Sequence, residues 1–402
     1  MKKALYILIV MISVIGCVDY SYPGQIHKIH LDDKQKVPVS IILGEADQDL
    51  IVKGTGAKEE GVTDIWKDQD LYIYAFRRDL MTSYKVTRKE DETICMIDGS
   101  TEVMGTKAGK LAKVNASDAY LSWAGEFDRV IYYPSGIVPY DFFGYFTDDI
   151  KVPEDSIART ENSIGLMLTI DGSQDLMTAR AELSEDQLKP FREMEDKSEL
   201  INIMNYSYSS YTAQRNIQPI IKFRHHLTRL DFELHSIQEG ADSIYVDSLV
   251  LWSRTKALFT VVDKVSERIG LDFTNDQTYD KLRLKEADGS PLKPSVYHAP
   301  PYDPTVDKSQ TKGTHLGGSF LVAPDKEYEA MVYVHQIKNG LVYENEYPIK
   351  VVYRKEGFFG PGNQYLVKLR VAGLMQIDVD VSVGEWQNGG DVIVDDEDIP
   401  LG

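Results

Sequence analysis

Chemistry that alters the chain itself is written into its first seventeen residues. Lys2 and Lys3 precede an apolar run from Ala4 to Ile15, which ends at Gly16-Cys17. The run is too short to span a bilayer as a stable helix, so residues 1–16 read as an export signal. Val14-Ile15-Gly16-Cys17 has the form of a lipobox, in which the Cys17 sulfur receives acyl chains such as palmitate and becomes the first residue of the mature protein. Each buried CH₂ contributes about 0.8 kcal/mol, so several chains together hold a protein on a membrane. With Cys17 assigned to lipid, Cys95 stands alone and the folded part has no intrachain disulfide. Its setting, Thr93-Ile94-Cys95-Met96-Ile97, reads as an apolar strand holding an inert thiol.

Other residue types able to do chemistry do not assemble into a site. Lys53-Gly54-Thr55-Gly56 lacks the strand-to-helix setting of a phosphate cradle and reads as a turn. His225 and His226 are adjacent on an expected strand, so they face opposite ways and cannot simply share a metal. His27 and His30 fall in an expected linker. Asp378 and Asp380 share one strand face about 7 Å apart, which suits a solvated face better than an acid–base pair. No nucleophile, metal set or cofactor motif is recognised, so the chain is not read as an enzyme, and a hydrolase ranks last among its possible roles. The stretch Tyr206 to Tyr211 mixes tyrosine with serine, the composition of binding loops, and Tyr206, Tyr208 and Tyr211 are the adhesive candidates. A linker covering a domain junction is the competing reading.

The elements that must position these residues are mainly strands. The chain has 402 residues and a net charge of −19, enough length for two domains and the wrong charge for nucleic acid. Apolar residues alternate at Val37, Val39, Ile41 and Leu43, and again at Ile377, Val379, Val381 and Val383. Further strands are expected at Leu71–Phe76, Arg129–Tyr133, Ile220–His235, crossing a whole sandwich, and Tyr245–Trp252. On the strand from Ile377 to Val383, Asp378, Asp380 and Ser382 point the other way, so one face is expected to be buried and one wet. Ser184 and Gln187 have capping-box spacing, but Pro190 is expected to stop that helix after its first turns. A second short helix is expected within Glu193–Asn205. Pro291–Gly318 reads as irregular, and Asp395–Asp398 as an acidic tail. The resulting division is a linker over residues 17–36, a β-sandwich domain over 37–216 and a second over 217–402, with minor helical insertions.

Tyr132-Tyr133-Pro134 followed by Tyr140-Asp141-Phe142-Phe143-Gly144-Tyr145-Phe146 resembles the fimbrillin-like lipoproteins of type V pili. Matching segments follow in order: Asp175 to Arg180, Phe223 to Phe232, and Val383 to Trp386 with Gly389-Gly390 and Asp391 to Asp395. Upstream, Lys53 to Ala57, Trp66 and Leu71 to Phe76 look like the same family. The resemblance implies an all-β fold of two transthyretin-like β-sandwich domains. It implies a subunit or associated adhesin of a cell-surface fimbrium, exported as a lipoprotein to the outer membrane. Its partners would be other fimbrial subunits, a processing protease, and glycans or proteins of other surfaces. Family members are cleaved after a basic residue beyond the first strand and polymerise by strand exchange. Val37, Val39, Ile41 and Leu43 fit the removable strand, and Pro38 marks it as an edge. One departure stands out. The family's proteases commonly prefer Arg, yet the first Arg here is Arg77, at the end of an expected core strand. Lys53 is the best substitute and Lys58 the second. An anchor or tip role then competes with a stalk role. The alternative is a monomeric surface lipoprotein that binds glycan or protein ligands.

Overall fold

The computed structural model describes residues 36–44, 69–79, 81–101, 108–114, 120–123, 130–134, 136–273, 278–305, 313–355, 357–373 and 376–385. Cys17, His27, His30, Lys53, Lys58 and the acidic tail lie outside them. The fold is all-β, with α-helices among the described residues only between 185 and 213.

The central sheet runs in the order β11 (Arg224–His225), β9 (Met177–Arg180), β6 (Tyr140–Phe146), β2 (Leu71–Arg77), β4 (Lys110–Val114), β5 (Leu121–Trp123). A short strand, β3 (Cys95–Ile97), also pairs with β2. All seven residues of β6 are buried. A strand covered on both faces reads as apolar on both rather than alternating, and Tyr-Asp-Phe-Phe-Gly-Tyr-Phe does so except at Asp141. Tyr74, Phe76, Phe143 and Tyr145 face one side, packing on Leu166, Leu168, Phe259 and Val261. Leu71, Ile73, Ala75, Phe142 and Phe146 face the other, where Val37, Val39, Ile41, Ile221 and Phe223 lie. The sheet is therefore the middle of three layers.

The first outer layer is a sheet ordered β15 (Gly270–Asp272), β14 (Lys256–Asp263), β8 (Ser163–Thr169), β7 (Ile157–Arg159). This pairing overrides the expected boundary at residue 216. Lys256 to Asp263 pair with Thr169 to Ser163, so strands from beyond 216 complete a sheet begun before it. They reach it because β13 (Ile244–Arg254), which belongs to another sheet, continues into β14 with only Thr255 between.

The remaining strands form a separate two-sheet sandwich. One sheet is β18 (Thr314–Val322), β12 (Thr228–Ser236), β21 (Asn363–Gly373), β22 (Gln376–Glu385); the other is β16 (Tyr279–Arg283), β13, β19 (Glu327–Lys338), β20 (Leu341–Val352), with β17 (Tyr297–His298) on β13. Leu230, Phe232 and Leu234 meet Leu249, Leu251 and Val332 between them. The β19–β20 hairpin turns at Asn339-Gly340, both left-handed at φ 52° and 76°, the turn geometry whose twist matches the strands. On β22 the alternation holds: Ile377, Val379 and Val381 pack against the core while Asp378 is exposed.

The expected single strand from Ile220 to His235 is instead three. Residues 220–221 form β10 (Ile220–Ile221), paired with β1 (Ile42–Leu43) in the layer above the central sheet; β11 joins the central sheet, and β12 joins the distal sandwich. The strand-like pattern of residues 220–235 cannot by itself reveal that the chain steps between sheets.

Candidate functional site

The seat of the first strand is the feature on which assembly by strand exchange would turn. Val37, Val39 and Ile41 are 9, 6 and 1 % exposed, and Leu43 is half-buried against the same core. They lie over Ile73, Ala75, Phe142 and Phe146 of the central sheet. Fully burying one such side chain contributes about 1.5–3 kcal/mol.

Hydrogen bonds stitch this segment to remote parts of the chain. Val39 N donates to Ile131 O at 2.8 Å, Tyr133 N to Val37 O at 3.0 Å, and Leu121 N to Ile41 O at 2.9 Å. On the opposite edge Ile42 N donates to Pro219 O and Gly44 N to Ile221 O, each at 2.9 Å. The pairing with β10 is parallel, while Pro38 and Tyr132 form an antiparallel bridge. The expectation of a simple edge strand is thus corrected at Ile42, which pairs with Ile220 on one side and with Tyr120 on the other. Pro38 sits where its lack of an N–H matters least. Val37 O and Val39 N face the 131–133 segment, so the Pro38 nitrogen faces the other way, and pairing there begins only at Ile42. Gly44 is required by close approach, since a Cβ there would lie 2.5 Å from Ile220 Cγ2.

The adhesive reading of Tyr206, Tyr208 and Tyr211 is corrected by burial. Tyr208 and Tyr211 are each 1 % exposed, and Tyr206 packs half-buried against the same core. The stretch is a buried turn rather than an exposed loop. It runs from α2 (Ser198–Asn205) into α3 (Ser210–Ala213), which Ser209 caps through Thr212. Tyr208 meets Phe142 edge to face, and Tyr211 donates to Glu199 Oε2 at 2.7 Å. Upstream, α1 (Glu185–Arg192) begins with the expected Ser184–Gln187 capping box, but Pro190 lies inside it rather than ending it.

An open cleft of about 510 Å³ lies beside these helices, lined in part by Arg77, Arg78, Asp141, Arg180, Tyr208 and Lys264. Asp141 holds Arg78 at 2.9 Å and Arg180 at 3.3 Å, while Arg78 also donates to Ser207 Oγ at 2.6 Å. These charges tie the end of β2 to the helical insertion. Arg77 ends β2 and pairs with Asp79 at 3.1 Å, so a cut there would sever a core strand.

The remaining sequence candidates fall in packed settings. Cys95 is buried, and burial pushes its thiol well above its ordinary pKa. His225 Nδ1 lies 2.8 Å from Asp175 Oδ2, whereas His226 contacts Thr178 Oγ1 at 2.6 Å and the Phe259 ring. The two histidines do turn to different partners. Burial, reinforced by Arg224 and His225, pushes His226 down to about 3. Asp380 is paired with Arg370 at 2.8 Å. Among the described residues no group of three or more His, Cys, Asp or Glu is placed to hold a metal ion.

No family model and no curated protein matches this chain. Solved structures similar to it include a candidate cell adhesion protein from Bacteroides uniformis, 14 % identical, covering 88 % of this chain and 99 % of its own, with a TM-score of 0.46. A candidate cell adhesion protein from Bacteroides ovatus is 11 % identical over 89 % of this chain and 100 % of its own, at 0.44. A fimbrial anchor protein from Porphyromonas gingivalis is 11 % identical over 88 % and 99 %, at 0.31.

Proposed function

We propose that this chain is a structural subunit of a cell-surface fimbrium or an adhesin associated with one. It is exported as a lipoprotein, anchored through Cys17 in the outer membrane, and assembled by proteolysis-triggered strand exchange. The observation supporting this most directly is the seat of residues 37–44. Among the described residues, three apolar plugs and five backbone hydrogen bonds hold this short segment, and its core contacts are to residues 71 and beyond. Cutting the chain between it and β2 would make it exchangeable. Its departure would leave an apolar floor and unpaired donors and acceptors that another subunit's strand could fill. Lys53, with Lys58 second, is the proposed cleavage point.

Terminal sequencing of the protein recovered from surface filaments tests the reading. A new terminus following Lys53 or Lys58 is expected; filaments that retain residues 37–53 would reject a stalk role and leave an anchor, a tip or a non-polymerising protein. Cys17→Ser is expected to release the protein from membranes without unfolding it. A monomeric ligand-binding lipoprotein is the second reading, favoured by the exposure of Tyr120 and Tyr132 at 38 and 44 % beside the first strand. It predicts no ladder of oligomers after protease treatment.

A further inference from the structure

We propose that Ser295 is an activated nucleophile, with His335 as its general base and Asp247 as the residue that positions the base, and that it takes esters of small acyl groups. Ser295 Oγ lies 3.3 Å from His335 Nε2, and His335 Nδ1 lies 2.8 Å from Asp247 Oδ2. A carboxylate on Nδ1 keeps the proton there and leaves Nε2 as the acceptor that a serine hydroxyl needs.

Independent irregularities of the backbone converge on the three residues. Asp247 is the extra residue of a bulge in β13, between the Val246–Val334 and Ser248–Tyr333 pairs, and a bulge re-aims the side chain it carries. Ser295 follows Pro294 and is left-handed at φ 61°, a conformation that favours glycine in a turn of this kind. His335 is only 6 % exposed, and Tyr245, its cross-strand partner, stacks on its ring at 5.2 Å and 13°. His298 packs on the other side of this row, edge to face with Tyr245, and Glu344 is the cross-strand neighbour of His335 on β20. Ser295 itself is exposed, and the adjoining Val296 is 53 % exposed, offering an apolar contact to a short acyl chain.

In the reaction Ser295 Oγ attacks the ester carbonyl carbon and its proton passes to His335 Nε2. The bond from that carbon to the leaving oxygen breaks, and His335 returns the proton to the leaving group. Water, deprotonated by the same nitrogen, then hydrolyses the acyl-serine and regenerates the site.

The test treats the folded, full mature chain with an alkyl fluorophosphonate, in which the serine oxygen bonds phosphorus and fluoride leaves. Peptide mapping is expected to place a single label on Ser295, and phenyl acetate is expected to be hydrolysed by the same preparation. Asp247→Asn should slow labelling by about 100-fold or more with an unchanged melting temperature, and Asp247→Glu should restore part of the rate. Ser295→Gly, which relieves the left-handed strain, should fold at least as stably and take no label. His335→Gln should behave like Asp247→Asn; if it fails to fold, the Asp247 and Ser295 variants decide alone. A bond that only satisfies the histidine ring predicts no label. Absence of label on the folded chain, label spread over several serines, or equal rates in Asp247→Asn would each overturn the proposal.

Discussion

Ile41 is the deepest plug of the first strand, and its replacement measures what the seat contributes. Ile41→Ala should destabilise the uncleaved subunit by about 2–5 kcal/mol, read as a lower urea midpoint. Ile41→Asp should cost more, because a charge there has no partner. A shift no larger than that of an exposed control such as Val342→Ala would mean the strand is not tightly held. His226 gives a second prediction. Its folded pKa lies near 3 against an ordinary 6.5, so between these values the unfolded chain binds a proton that the folded chain refuses. The stability from keeping His226 neutral is full above about pH 6.5 and is lost as pH falls towards 3. His226→Gln should therefore lose less stability than the parent between pH 7 and pH 4.5 in parallel urea titrations.

At the scale of elements, the first strand differs from its neighbours in how it is joined to the fold. β10 is followed closely in the chain by β11 of the central sheet, and the 131–133 segment falls between β5 and β6 of that sheet, whereas residues 36–44 are separated from β2 by a long stretch of sequence. After cleavage at Lys53, a labelled peptide of residues 36–44 should enter the protein, and the same peptide carrying Ile41→Asp should not. Fluorescence anisotropy reads both, and entry into uncleaved protein at the same rate would rule out processing as the trigger. The helical insertion is the opposite case. Tyr208 and Tyr211 are core residues, so protease cutting between Asn205 and Ile217 should be slow compared with cutting in exposed loops.

For the whole molecule, the crossing of β14 and β15 into the first sandwich decides which fragments can fold. A chain ending at residue 216 lacks both strands and leaves Leu166, Leu168 and Tyr145 without Phe259 and Val261. It should bind a hydrophobic dye and melt without cooperativity, whereas the full chain should not bind the dye. A stable, cooperatively melting fragment 37–216 would show that the hairpin is dispensable.

The sequence by itself determined the residues whose neighbours along the chain decide their state. Alternation at 37–43 and 377–381 set the inward faces of those strands, and the capping box set the start of α1. Each depends on local periodicity or spacing, which survives without knowledge of partners. Tertiary structure alone decided what depends on contacts remote in sequence. The Tyr206–Tyr211 stretch has a binding-loop composition, yet packing against Phe142 makes it core. The Ile220–His235 run reads as one long strand, yet it steps through three sheets, because apolar residues interleaved with polar ones suit a strand in any of them. Residue 216 looks like a boundary, yet strand pairing ignores it. Asp247, Ser295 and His335 lie 40 to 88 residues apart. No linear spacing could align them, and only the bulge, the left-handed turn and the cross-strand register bring their atoms within hydrogen-bond reach.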